Sequence, residues 1–147
     1  MSFRITRRSR ASWQGTDSEG GGRIELGSGA YEGPYSLRAR VEEVERATNP
    51  EELIAAAEAA CFTMSLANKL SEAGHPPQDL QTTASLRLEQ VGDGFSITRI
   101  ELETVGQVDG VSAERFAELA QDAKRTCPVS RALAGPEITL SARLAGT

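Results

Sequence analysis

Histidine and cysteine are scarce in this chain. Among 147 residues there is one histidine, His75, and there are two cysteines, Cys61 and Cys127. Two thiols and one imidazole make a poor zinc set, because a structural site takes four such ligands. A lone histidine also leaves little room for a Ser-His-Asp triad. No metal and no bound cofactor are expected. No apolar run reaches the length that crosses a bilayer, and the basic start MSFRITRRSRASW lacks the apolar segment of a secretory signal. A reducing cytoplasm is therefore the expected compartment, and there a cysteine pair points to redox or catalytic use rather than to a structural bridge. Positive charge is not in excess either: 16 Lys and Arg stand against 21 Asp and Glu, a net −5, which argues against a nucleic-acid partner. The phosphate-loop pattern GxxxxGK[ST] is absent, as are internal repeats and low-complexity segments.

What is present is enough for a core. The apolar fraction is 39%, and a chain of this length fits one domain, expected over 1–147. The chain is organised around NPEELIAAAEAACFTMSLA, Asn49 to Ala67. Asn49 can cap a helix, Pro50 suits its first position, and Glu51 and Glu52 favour the positive end of the dipole, with Glu52 placed for a capping box. Leu53, Ala57, Ala60, Met64 and Ala67 recur at helical spacing and predict an apolar face. Alanine would let another backbone approach closely. Cys61 lies in this alanine-rich middle, where a small buried hydrophobe is the plainest role for a free thiol.

Around that helix the pattern is mostly strand. Phe3 to Trp13 predicts a first strand, and RIEL, with Ile24 and Leu26, a second hairpinned to it across the turn-rich GTDSEGGG. Gly27 to Pro34 predicts a loop. Tyr35 to Glu43 alternates again, with Leu37, Ala39 and Val41 on one face and Arg38 and Arg40 on the other. The arginines are either solvated at a strand edge or one of them enters a site to hold an anion. Gly74, with Pro76 and Pro77 behind it, stops the central helix, and His75 in that turn suits a surface or capping role. Ala84–Val91 and Phe95–Val108 predict a hairpin about Gly92-Asp93-Gly94, with a parity slip near Thr98 that signals a bulge or strong twist. Ser112 opens a second helix, stapled by Val111 and Phe116, with a stripe of Phe116, Leu119, Ala120 and Ala123. Cys127-Pro128 predicts a fresh helical start that ends at Gly135, with Cys127 at the N-cap, where the dipole favours a thiolate. Glu137 to Leu144 predicts the last strand. The order is an α+β pattern rather than a βαβ winding.

The blocks NPEELIAAAEAACF, VGDGFSITRIEL and CPVSRAL resemble the OsmC/Ohr family of hydroperoxide reductases. The resemblance runs from about Tyr35 to Leu144, more weakly before that, and CFTM with CPVSRAL looks more like the OsmC branch. It implies an OsmC-like fold, antiparallel sheets wrapped around a long central helix in an intertwined homodimer, with active sites at the subunit interface. It also implies four roles: Cys61 as the peroxidatic thiol, Cys127 as the resolving thiol, Arg40 as the active-site arginine with Arg38 as its competitor, and Glu51 as the glutamate after NP. Glu58 departs from the family pattern, where His or Tyr is usual.

The residue types suit that chemistry. A thiolate can split a peroxide O–O bond and become a sulfenic acid, whereas a hydroxyl cannot. An arginine can favour the thiolate without titrating and can steady the alkoxide that leaves. A second thiol traps the sulfenic acid as a disulfide, which a dithiol partner, of lipoyl type by family analogy, must reduce. The partners implied are thus an organic hydroperoxide, a dithiol reductant protein and a second copy of the chain, with neither nucleic acid nor membrane. Two other classes stay open: a redox-sensing or ligand-binding module that uses the cysteine pair without turnover, and a structural α+β dimer with incidental thiols. Glu51 and Cys61 stand ten residues apart on one predicted helix, roughly 15 Å along its axis and about 80° around it. If Glu51 orients the arginine beside Cys61, it is expected to come from another chain.

Overall fold

Gly22 shapes the first sheet of the computed structural model, which describes residues 2–146. Strand β1 (Ser9–Gln14) pairs antiparallel with β2 (Gly21–Leu26), and β2 pairs antiparallel with β3 (Glu32–Tyr35). Gly22 is the partner of Trp13 on one side and of Tyr35 on the other. A Cβ at Gly22 would come 2.6 Å from the Tyr35 ring. Because it has none, the two aromatic rings meet over it, their centroids 5.4 Å apart.

This first sheet differs from the sequence expectation in three places. Pairing begins at Ser9 rather than Phe3, because β2 ends at Leu26 opposite Ser9; Phe3 and Ile5 are exposed. The segment expected as a loop, Gly27 to Pro34, supplies most of β3. The alternating segment after it is a short helix, α1 (Leu37–Val41), not a strand. Ser36 caps it, its Oγ accepting from the Ala39 N–H at 3.0 Å, and the Glu42 N–H closes it on the Arg38 carbonyl at 2.8 Å. A local cap outweighs alternation over so short a stretch.

The long helix α2 (Pro50–Glu72) begins as expected, with the Asn49 Oδ1 accepting from the Glu52 N–H at 2.8 Å. Asn49 Nδ2 also donates to the Ala39 carbonyl at 2.9 Å, tying α1 to the start of α2. The Glu52 carboxylate accepts from Thr48 Oγ1 at 2.9 Å. The far end runs past Ala67 and stops at Gly74 (φ 86°), where the His75 N–H bonds the Leu70 carbonyl at 2.8 Å, so His75 serves the helix end through its backbone. The chain divides into two compact units, Met1–Leu53 and Ile54–Thr147, and α2 starts in the first and continues in the second.

In the second unit, α2 buries Glu58, Phe62, Leu66 and Leu70, while Ala57, Ala60 and Met64 of the expected apolar stripe are exposed. Burying a Phe or Leu side chain is worth about 1.5–3 kcal/mol, far more than an alanine, so the larger residues win the core. Strands β4 (Asp79–Val91) and β5 (Gly94–Gln107) form the expected hairpin. Arg87 pairs with Arg99 and Leu88 with Ile97, which leaves Thr98 as the bulged residue. Helix α3 (Ala113–Thr126) is capped by Ser112 Oγ, and its stripe of Phe116, Leu119, Ala120 and Ala123 is buried with Val111. Helix α4 (Pro128–Ala132) follows and ends at Leu133, before Gly135. Strand β6 (Glu137–Leu144) then lies parallel to β5, so this sheet is mixed rather than antiparallel, and β5, the two helices and β6 make one βαβ crossover. The helices carry the chain back along the sheet, and β6 enters it in the direction of β5.

Candidate active site

Cys61 and Cys127 reach each other from different elements. Cys61 is a half-buried residue of α2, and Cys127 is the fully buried N-cap of α4. Pro128 at the first position of α4 has no N–H to satisfy, so the chain turns sharply after α3 and brings Cys127 inward. The Cys127 side chain makes no capping bond to its own helix. Its thiol is near enough to the Cys61 thiol to act on it, and both are free, unbridged cysteines.

The surroundings of Cys61 hold its proton. Burial pushes the thiol pKa up, the Cys127 thiol raises it further, and the Glu58 carboxyl adds a smaller rise; only the Val129 backbone N–H works the other way. Among the described residues of this unit, none of the groups acting on the thiol is a cation.

Glu58 stands one helical turn before Cys61 and is fully buried. Its Oε1 accepts from Ser130 Oγ, and its Oε2 has no hydrogen-bond partner among the described residues. Ser130 stands in turn three residues after Cys127. This partner of Glu58 was not anticipated, although the matching three-residue spacings in EAAC and CPVS were there to be seen.

In the first unit, Arg40 and Glu51 form a bidentate pair. Arg40 Nε lies 3.0 Å from each Glu51 oxygen, and Nη2 also donates to Oε1. Glu51 is buried and the Arg40 side chain about one-third exposed. Hydrogen bonding to Glu51 raises the Arg40 pKa, against partial burial, so the guanidinium stays charged. Arg38 goes elsewhere. On a strand it would share a face with Arg40; on a helix two residues lie about 200° apart, and Arg38 points to solvent, 3.0 Å from Glu42. Arg40 thus pairs with Glu51 of its own chain, so the two would enter any shared site together.

Arg40 also borders a mainly apolar pocket of about 270 Å³, lined with it by Trp13, Tyr35, Leu37 and Pro50. Sequence reasoning missed this pocket, because it depends on the aromatic pair over Gly22 and on α1 being a helix. Of the four site residues implied by the sequence, the fold thus brings Cys61 to Cys127 and Arg40 to Glu51.

Comparison with known proteins gives one answer. Residues 43–141 match the family model described as OsmC-like protein. The chain is 43% identical over 141 residues to Peroxiredoxin OsmC of Escherichia coli strain K12, covering 95% of this chain and 97% of that protein. It is 33% identical over 98 residues to the organic hydroperoxide resistance protein OhrA of Bacillus subtilis strain 168, covering 65% and 67%. In fold it is similar to an OsmC-like protein of unknown function from Vibrio cholerae, with a TM-score of 0.77 at 17% identity, over 95% of this chain and 99% of that one. With its α+β fold, its two small sheets and its long helix, the chain belongs to the OsmC-like family.

Proposed function

We propose that this protein is a thiol peroxidase that reduces organic hydroperoxides, with Cys61 as the attacking thiol and Cys127 as the resolving one. The observation that carries the reading is the approach of the buried Cys127 thiol to Cys61. The names of its relatives, a peroxiredoxin and an organic hydroperoxide resistance protein, agree with it. The Cys61 thiolate attacks the outer peroxide oxygen, the O–O bond breaks, and the alkoxide takes a proton and leaves as the alcohol. Cys61 is then a sulfenic acid, which Cys127 converts to a disulfide with loss of water. An external dithiol, of lipoyl type and at home in a reducing cytoplasm, returns both thiols by exchange. The apolar pocket at Arg40 suits the organic half of such a substrate better than hydrogen peroxide.

The Arg40–Glu51 pair supplies the cation that the surroundings of Cys61 lack, and it does so across a homodimer. Glu51 and Cys61 are ten residues apart on α2, so Arg40 held by Glu51 serves the Cys61 of a second copy. The exposed Ala57, Ala60 and Met64 leave α2 a face of small and flexible side chains for that copy to cover.

The test is turnover of cumene hydroperoxide with excess dihydrolipoamide, beside hydrogen peroxide. The wild type should cycle and prefer the organic substrate; Cys61→Ser should be dead; Cys127→Ser should consume one equivalent and then stall or over-oxidise. A wild type that stops after one equivalent is a sensor, and one that stays reduced after peroxide refutes the two-cysteine mechanism.

A further inference from the structure

Two three-residue spacings face each other in the second unit. On α2, Glu58 and Cys61 are neighbours one turn apart; at the start of α4, Cys127 and Ser130 are separated in the same way. Each member of one pair meets a member of the other: Cys61 meets Cys127, and Ser130 Oγ donates to Glu58 Oε1. Glu58, Cys127 and Ser130 are all buried. We propose that the Glu58–Ser130 hydrogen bond is a clasp that holds Cys127 in register with Cys61, making Glu58 and Ser130 positioning residues for disulfide formation.

Four considerations support a positioning role. A helix of five residues has little stability of its own and depends on tertiary anchors. Cys127, as N-cap, makes no side-chain bond that would secure that helix. Disulfide geometry tolerates little error in the separation and direction of the two Cβ atoms. A buried carboxyl with one oxygen unpartnered among the described residues is also a costly choice where an apolar residue would pack, so Glu58 fits a specific task better than a role in the core. The step it serves balances without a further reagent. The Cys127 sulfur attacks the sulfur of the Cys61 sulfenic acid, the S–O bond breaks, and the Cys127 proton leaves with the hydroxyl as water.

The inference rests on the two-cysteine reading above, and the experiment separates them. Reduced protein is mixed with one equivalent of cumene hydroperoxide, and mass spectrometry after acid quenching follows the sulfenic acid and the disulfide in time. Ser130→Ala and Glu58→Ala should form the sulfenic acid within about threefold of the wild-type rate but close the disulfide at least roughly tenfold more slowly, since misplacement of about 1 Å can cost a hundredfold. Under excess peroxide their Cys61 should over-oxidise. Ser130→Thr and Glu58→Gln keep a donor and an acceptor and should close the disulfide near the wild-type rate. If Glu58→Ala does not fold, Ser130→Ala, the milder change, decides alone. Disulfide closure at the wild-type rate in the alanine variants, or equal slowing of both steps, overturns the clasp and leaves the two-cysteine reading intact. A wild type that never forms the Cys61–Cys127 disulfide overturns both.

Discussion

The Arg40 guanidinium and the Glu51 carboxylate face each other as a fork, with Arg40 Nε 3.0 Å from both oxygens. Such a pair fixes the plane of the guanidinium and keeps its outer edge available to an anion. If that anion is the Cys61 thiolate, Arg40→Ala should raise the Cys61 pKa by about one to three units and slow peroxide attack accordingly. Arg38→Ala, which removes only a solvent-exposed partner of Glu42, should leave both unchanged. Thiolate absorbance titration of the two variants checks this, and equal values in wild type and Arg40→Ala would remove Arg40 from the site.

Shared sites predict complementation. Cys61→Ser and Arg40→Ala are each expected to be inactive. In a heterodimer of the two, the Arg40→Ala chain keeps its Cys61 and the Cys61→Ser chain keeps its Arg40. If the arginine acts across the dimer, one intact site forms and activity returns on mixing under subunit exchange. If it acts within a chain, neither site is intact and the mixture stays dead after exchange has been verified by native mass spectrometry.

The environment of Cys61 sets a sign for pH. With the arginine removed, the remaining influences are burial, Cys127 and Glu58, all of which raise the pKa, against the Val129 N–H. In Arg40→Ala, alkylation by iodoacetamide should therefore have its midpoint above the ordinary thiol value of about 8.5. Adding Cys127→Ala should bring the midpoint down, because it removes a neighbour that raises the Cys61 pKa. Stability follows from the same shift. Between the unfolded and the raised folded pKa the folded chain binds more protons than the unfolded one, so this contribution is full below the unfolded value and is lost as pH rises through the folded one. Thermal melts of Arg40→Ala should therefore fall more steeply above about pH 8.5 than those of the double variant.

Gly106 is the point where β5 makes room for α3. A Cβ there would come 2.6 Å from the ring of Phe116, itself in the core. Gly106→Ala should destabilise the protein by about 1–3 kcal/mol, the usual cost of overpacking, and Gly106→Val by more. Denaturant unfolding checks it. An unchanged midpoint for the alanine variant would mean that Phe116 moves aside freely.

The features legible from the sequence were those decided by near neighbours. Asn49-Pro50 and Gly74 bound the long helix, Ser112 starts the second, and Gly92-Asp93 turns the hairpin, because caps and turns satisfy backbone groups within a few residues. The parity slip at Thr98 marked a bulge for the same reason: side chains on a strand alternate strictly, and one extra residue shows. Cys61, Cys127, Arg40 and Glu51 could be named from the family motifs alone. Where two local rules competed, reading failed. Leu37, Ala39 and Val41 alternate like a strand, yet the Ser36 cap makes a helix, and that exchange of geometry separates Arg38 from Arg40.

Tertiary structure decided the rest, because burial depends on surfaces that arrive from distant parts of the chain. The sequence of α2 offers two apolar stripes, one of alanines with Met64 and one of Phe62, Leu66 and Leu70. Packing with Leu102, Phe116 and Leu119 buries the second, since larger side chains remove more apolar area from water. The parallel entry of β6, the meeting of Trp13 and Tyr35 over Gly22, and the bond from Ser130 to Glu58, 72 residues away, are of the same kind. Local spacing determined which residues stand one turn from each thiol; only the packing of one helix against another determined that those residues touch.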